Sequence, residues 1–105
     1  MWLLVKPDHY STQHIHFMDP IKNNVLENSL FSRIIYSTDY FSTHGLFLNS
    51  SERNVQIEHS LLCAFSSPKT RQYSLQKVDG PGILKISGIW ENDVNYGLAF
   101  KFIKY

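Results

Sequence analysis

The chain has 105 residues, of which 43% are hydrophobic and 14% aromatic, and its formal net charge is +1. A chain of this length has room for one core and can fold without metals or disulfides. The aromatic content excludes a disordered chain, and the near-neutral charge excludes a nucleic-acid binder that relies on a bulk excess of positive charge. We therefore expect a single β-rich domain over residues 1–105.

Turn signals divide the chain into runs of strand length. The predicted strands lie near residues 2–5, 13–18, 30–37, 45–49, 54–65, 71–77, 83–90 and 97–104. Asp19-Pro20 is a helix start signal and predicts one short helix within 20–28, because the asparagines that follow are poor helix formers. Many short strands at regular spacing predict an all-β fold, a small antiparallel barrel or sandwich.

The clearest pattern lies at the end of the chain. Alternation over Ile83–Trp90 turns Leu84, Ile86 and Trp90 to one face, and 98–102 repeats the pattern and buries Leu98, Phe100 and Phe102. The polar residues 91–95 between the two runs are those that a hairpin loop favours. The sequence therefore predicts an antiparallel ribbon over Ile83–Phe102.

Cys63 is the single cysteine, so the chain cannot form an internal disulfide. It lies in the apolar run 61–65, where a buried strand would make the thiol an inert hydrophobic group. For that reason a pairing of Cys63 with His59 as nucleophile and base is disfavoured. A free thiol, together with an apolar stretch at 2–5 too short for a signal peptide or a membrane span, predicts an intracellular protein with no membrane contact.

No sequence motif for catalysis or for a cofactor is apparent. Gly80-Pro81-Gly82 has proline where a phosphate cradle needs a backbone N–H. His14 and His16 would share a strand face and are weak candidates for a metal site, but the Cys and His spacing of zinc sites is missing. We expect a protein that is not an enzyme and has no cofactor.

Two kinds of binding remain open. The basic run at 66–77 carries Lys69, Arg71 and Lys77 without an intervening acid, and a solvated loop is its simpler interpretation. Aromatic side chains beside basic ones can bind single-stranded nucleic acid, as in small five-stranded barrels. The candidate residues are Arg33, Tyr36, Lys85, Trp90, Tyr96 and Lys101.

The alternative is a protein surface. Residues 34–36 are apolar on both faces of a predicted strand, and more apolar residues follow closely. A chain this short has little else to cover them, so burial against a partner is favoured. The candidate interaction residues are Ile35, Phe41 and Phe47.

A resemblance to a known group of proteins is carried by residues 17–24, 31–37, 45–48 and 84–90 and the pair Tyr96-Gly97. These segments resemble small uncharacterised proteins of large DNA viruses that infect algae and amoebae. The stretch 87–100 is also similar to a strand pair in the small N-terminal barrel of some bacterial DNA helicases. The viral resemblance implies a protein made in the host cytoplasm, with a place in the virion.

The first hypothesis is thus a non-enzymatic β domain that acts through protein contacts, including self-association, as a minor virion or assembly component. The second is an OB-like protein that binds single-stranded nucleic acid.

Overall fold

The computed structural model describes residues 4–5, 10–22, 28–49, 54–75, 78 and 80–104. Within these ranges most residues lie in strands, and the α-helix α1 spans Asn54–Phe65. A 3-10 turn, Thr12–His14, leads into the second strand. The strands are β1 (Leu4–Val5), β2 (Ile15–Phe17), β3 (Ile21–Lys22), β4 (Leu30–Ser37), β5 (Ser42–His44), β6 (Leu46–Asn49), β7 (Thr70–Gln72), β8 (Gly82–Glu91) and β9 (Asn95–Lys104).

The two longest strands form the predicted hairpin. β8 and β9 pair antiparallel from Gly82 opposite Lys104 to Glu91 opposite Tyr96. The turn is closed by Asn92, whose side-chain oxygen accepts the backbone N–H of Asn95 at 2.7 Å. The ribbon predicted over Ile83–Phe102 is confirmed, and Leu84, Ile86 and Leu98 are buried, whereas Phe100 and Phe102 are half-buried. The prediction that Trp90 shares the face of Leu84 and Ile86 is wrong. A register shift between Ile86 and Gly88 reverses the alternation, so Ile89 faces the core and Trp90 projects from the other face.

The strands form one curled sheet with the shape of a half-barrel. β9 pairs with one edge of β8, while β6 and then β4 pair with the other edge. The prediction of a mainly β fold is confirmed. The sheet is mixed rather than purely antiparallel, because β1 pairs parallel to β6 and β7 pairs parallel to β9. Neither parallel pair is joined by a hairpin turn, the connection that makes neighbouring strands antiparallel.

A bend in the sheet marks the point where β8 changes partner. The register of β8 against β9 shifts between Ile86 and Gly88, which makes Ser87 the extra residue of a bulge. On the partner side, Gly45 joins β5, which pairs with β4, to β6, which pairs with β8. Gly45 has a φ of +96°, which glycine tolerates because it lacks a Cβ, and its N–H donates to the Ile34 carbonyl at 2.7 Å.

Helix α1 corrects the prediction of a strand over 54–65. Its buried residues recur at helical spacing, which places them on one stripe against the sheet: Asn54, Ile57, Glu58, Leu61 and Leu62. The run at 61–65 suggested a strand because Leu61 and Leu62 of the buried stripe are followed directly by three more apolar residues, which lie outside the stripe. The same error predicted a buried Cys63, which is exposed on the solvent side of α1.

The short helix predicted within 20–28 is also corrected in part. Ile21 and Lys22 form β3, which pairs with the start of β4, so a helix does not begin after Asp19. Residues 23–27 lie outside the described part of the chain. The Asp-Pro signal is local, and pairing with β4 outweighs it. The strands predicted at 2–5, 13–18, 30–37, 45–49 and 71–77 correspond to β1, β2, β4, β6 and a β7 that covers the first part of its range.

The core lies between the concave face of the sheet and α1. Its largest fully buried side chains are Tyr36 and Tyr96, together with leucines and isoleucines from β4, β6, β8 and α1. None of the described helices has the length and apolar character that crossing a bilayer requires.

Candidate functional site

The face of the sheet that points away from α1 collects several of the predicted binding residues. Ser32 and Ile34 of β4, and Leu84 and Ile86 of β8, face the core. Because side chains alternate along a strand, their neighbours project from the opposite face. The extra residue at the Ser87 bulge shifts this alternation in β8, so Trp90 projects from the same face as Lys85. We call this surface the outer face and define it by its side chains: Phe31 and Arg33 of β4, Lys85 and Trp90 of β8, and Lys101 of β9.

Positive charge is concentrated on the outer face. Lys85 and Lys101 are directly opposite each other across β8 and β9. Arg33, which is exposed, stands opposite Gly88 on the other side of β8. Like charges at directly opposed positions destabilise a sheet, so the lysine pair is a local electrostatic cost. An anionic ligand would relieve that cost.

No acid balances these cations within the part of the chain that the structure describes. The acids in the described ranges are Asp19, Asp39, Glu58, Glu91 and Asp93. Glu58 lies on α1, while Glu91 accepts a hydrogen bond from Ser67 and pairs with Lys69 at 3.7 Å. The three aspartates lie outside the strands. The outer face is therefore a basic patch on a protein whose total charge is only +1.

A groove opens on the outer face where β4 separates from β8. Its volume is about 440 Å³, and Arg33, His44 and Lys85 lie in its wall. The ammonium group of Lys85 is 5.6 Å from the centre of the Phe47 ring, a cation–π distance that holds it beside the groove. The bulge residue Ser87 adds a hydroxyl to the same wall. The groove thus combines two permanent cations with a hydrogen-bonding group.

Two aromatic rings flank these charges. Phe31 stands opposite Trp90 in the β4–β8 register. The Phe31 ring covers Gly88, and the Trp90 ring covers Gly97, where it lies 3.0 Å from the place a Cβ would occupy. Both aromatic side chains remain half-buried rather than enclosed. Aromatic rings packed on glycines of a sheet offer the remaining ring surface to a ligand.

Two of the predicted nucleic-acid residues are not on this face. Tyr36 is 1% exposed and Tyr96 is 0% exposed. Tyr36 packs among other rings of the core, and the Tyr96 hydroxyl donates to the Leu62 carbonyl at 3.2 Å. Neither ring can stack on a base in this fold. The structure thus brings together four of the six candidates: Arg33, Lys85, Trp90 and Lys101.

The predicted interaction residues lie largely within the protein. Phe47 is 8% exposed beneath Lys85, and Phe41 packs against Tyr36 with 6.2 Å between ring centres. Ile35 is half-buried. Two of the exposed apolar residues that local patterns did not predict are Met18, 44% exposed, and Ile21, 48% exposed. Met18 donates its N–H to the Arg33 carbonyl and Ile21 pairs with Phe31, so both border the outer face.

The two histidines considered for a metal site are separated by the local backbone. His14 ends the 3-10 turn and packs edge-on against Tyr36 at 5.7 Å, whereas His16 is exposed on β2. A shared strand face was expected, but β2 begins only at Ile15. Among the described residues no three His, Cys, Asp or Glu side chains are grouped closely enough to hold a metal ion.

The basic run at 66–77 has roles inside the fold. Lys69 pairs with Glu91, as described above. Arg71 donates from Nε to the Tyr96 hydroxyl at 2.8 Å. Lys77 lies outside the described residues. The described basic residues of this run are therefore engaged by other side chains of the fold, whereas Arg33, Lys85 and Lys101 are grouped on the outer face.

No protein-family model, curated protein or solved structure matches this chain. The resemblance to proteins of large DNA viruses therefore stays a prediction.

Proposed function

We propose that the outer face binds single-stranded nucleic acid. The observation that carries this proposal is the Lys85–Lys101 pair, which is directly opposed across two strands, lies near Arg33 and has no described acidic partner. Phosphates would accept hydrogen bonds from these three cations. The half-buried rings of Phe31 and Trp90 would stack on bases, an interaction that every base can make.

The dimensions of the face suit a short stretch of single strand. From Lys85 to Trp90, β8 advances about 16 Å at the usual rise of about 3.3 Å per residue. A few nucleotides cover that length, with their phosphates beside the basic side chains and their bases against the aromatic rings. Since neither side chain type reads a base edge in a fixed pattern, we expect little sequence preference.

The test is a fluorescence anisotropy titration with a labelled single strand of about ten nucleotides, as DNA and as RNA. We expect binding at low salt that weakens as salt rises, with a logarithmic slope of about −2 for three phosphate contacts. The triple variant Arg33→Ala, Lys85→Ala, Lys101→Ala should lose this binding. Lys22→Ala is the matched control: Lys22 stands opposite Leu30, on strand positions that alternate with those of the outer face.

Lack of binding by the native chain at low salt would refute the proposal. Equal loss of affinity in the Lys22→Ala control would also refute it, because the interaction would then depend on total charge rather than on this face. A double-stranded competitor distinguishes binding that requires base stacking from binding by charge alone. Stacking requires unpaired bases, so a duplex of equal length should compete poorly.

Protein contact remains a second candidate function, and the exposure of Met18 and Ile21 favours it. Apolar side chains that border a cationic patch suit an acidic protein partner or a second copy of the chain. Such contacts would be consistent with a minor virion or assembly component, as the viral resemblance implies. Multi-angle light scattering tests self-association: a dimer that Ile21→Lys dissociates supports it, whereas a monomer at every concentration excludes it.

A further inference from the structure

A second cluster of reactive side chains lies on the helix side of the molecule, away from the outer face. Cys63 is exposed on α1, and His59 precedes it by one helical turn. The Cys63 sulfur lies 3.5 Å from Nε2 of His59. Arg71 of β7 donates from a terminal nitrogen to the same sulfur at 3.2 Å. An imidazole and a guanidinium from two different elements thus converge on one accessible thiol.

Both neighbours of the sulfur are held in place by tyrosines. Nδ1 of His59 lies 3.2 Å from the Tyr73 hydroxyl, and the two rings stack with an interplanar angle of 17°. Arg71 is anchored through Nε to the buried Tyr96. Hydrogen bonds to Tyr73, Tyr96 and Cys63 raise the pKa of Arg71, so its positive charge persists at every physiological pH. A nucleophile beside a base that a third group orients is the arrangement of activated thiols.

A groove begins beside this cluster. Its volume is about 670 Å³ and it lies between α1 and β7. His59 and Tyr73 contribute to its wall, so the groove and the thiol share a residue. The rest of the wall consists of Val55 and the amide side chains Gln56 and Gln72. The described part of the wall offers hydrogen bonds and contains no acidic side chain, and the groove has room for a small peptide-like molecule.

We propose that Cys63 is a site of thiol–disulfide exchange that forms a mixed disulfide with a small, carboxylate-bearing thiol of the glutathione class. The Cys63 sulfur, after its proton passes to His59, attacks one sulfur of the small-molecule disulfide. The old S–S bond breaks, a bond from Cys63 to the attacked sulfur forms, and the departing thiolate takes up the proton. Arg71 stabilises negative charge on sulfur and attracts the carboxylates of the incoming molecule. Since the chain has no other cysteine, the product cannot rearrange to an internal disulfide.

The test compares two thiols on one helix. Native protein and the double variant Cys63→Ser, Ala64→Cys are incubated with oxidised glutathione, and the rate of adduct formation is followed by intact-mass spectrometry. Ala64 is exposed next to Cys63 but on a different side of α1 from His59, so the introduced thiol serves as a matched control. We expect Cys63 to react about ten-fold faster. His59→Gln should reduce the native rate severalfold, with the circular dichroism spectrum unchanged.

The comparison also includes hydroxyethyl disulfide, a neutral reagent. The rate advantage of Cys63 over the control thiol should be larger with oxidised glutathione than with this reagent, because only the former carries carboxylates for Arg71. Equal rates for the two thiols, or an unchanged rate in His59→Gln, would overturn the proposal. Neither result bears on nucleic-acid binding, since the cluster shares no residue with the outer face.

Discussion

The carboxylate of Glu58 accepts the backbone N–H of Leu75 at 3.1 Å and that of Ser74 at 2.8 Å. Glu58 is 0% exposed and Leu75 is 1% exposed. The two bonds tie α1 to the chain that follows β7, a segment without ladder hydrogen bonds of its own. Burial raises the pKa of Glu58, and the two backbone donors act in the opposite direction without cancelling it. The helix is therefore anchored by a buried carboxylate, and the negative charge of that carboxylate lowers the stability of the folded state.

This anchor predicts a specific dependence of stability on pH. A carboxyl group with a raised pKa in the folded state contributes stability that is complete below its unfolded pKa, near 4.5, and is lost as pH rises through the folded pKa. Glu58→Gln has nearly the same shape and does not titrate. We expect the free energy of unfolding of the native chain, minus that of Glu58→Gln, to fall as pH rises above 4.5. Urea denaturation over a pH series measures this difference, and a flat or rising curve would contradict it.

Tyr96→Phe should destabilise the protein by about 1–2 kcal/mol. The change removes a hydroxyl that accepts from Arg71 and donates to the Leu62 carbonyl, while the ring remains in the core. Tyr73→Phe is the matched control, because its hydroxyl contacts His59 and Arg71 at the surface rather than a buried carbonyl, and it should be worth less than about 0.5 kcal/mol. Urea denaturation compares the two variants. Equal costs would mean that the buried hydroxyl does not hold α1 against the sheet.

Gly88→Ala should cost about 3 kcal/mol. A Cβ at Gly88 would overlap the backbone carbonyl of Ser32 and the Phe31 ring, so β4 would have to move away from β8. At Gly97 the nearest atoms, in Gln72 and Trp90, lie 3.0 Å away, and Gly97→Ala should cost about 1 kcal/mol. Thermal unfolding of both variants gives the order. The close approach of β4 to β8 would be in doubt if Gly97→Ala proved the more harmful.

Lys101→Glu separates binding from stability. It replaces a repulsive cross-strand pair with an attractive one opposite Lys85, so we expect the fold to gain about 0.5 kcal/mol. The same variant should bind single-stranded nucleic acid more weakly, because it removes one cation and adds an anion on the outer face. Urea denaturation and anisotropy are measured on the same sample. A variant that loses both stability and binding would show that Lys101 serves the fold instead.

Local patterns predicted some parts of the fold well and others poorly. Alternation over Ile83–Trp90 was sufficient to predict the C-terminal hairpin, because strand pairing across a short loop depends on neighbouring residues. It placed Trp90 on the wrong face, because the bulge at Ser87 depends on the partner strands. Helix α1 was not predicted, because a continuous apolar run such as 61–65 also suits a buried strand, although burial at Ile57, Leu61 and Leu62 follows a period near 3.6. The strand assignment is also the reason that the pairing of His59 with Cys63 was disfavoured, since it made the thiol buried, whereas on the helix the thiol is exposed and one turn from His59.

The amino-acid sequence by itself determined a mainly β fold with a C-terminal hairpin, since the strand patterns that predict both lie within a few neighbouring residues. Only the tertiary structure decided which basic side chains lie close together on one face of the sheet. Arg33 reaches the lysines of the hairpin because β8 exchanges β6 for β4 at its bulge, and Tyr36 and Tyr96 are withdrawn because α1 covers their face. Strand partners and helix position depend on contacts between residues far apart in the chain, and no local pattern contains them.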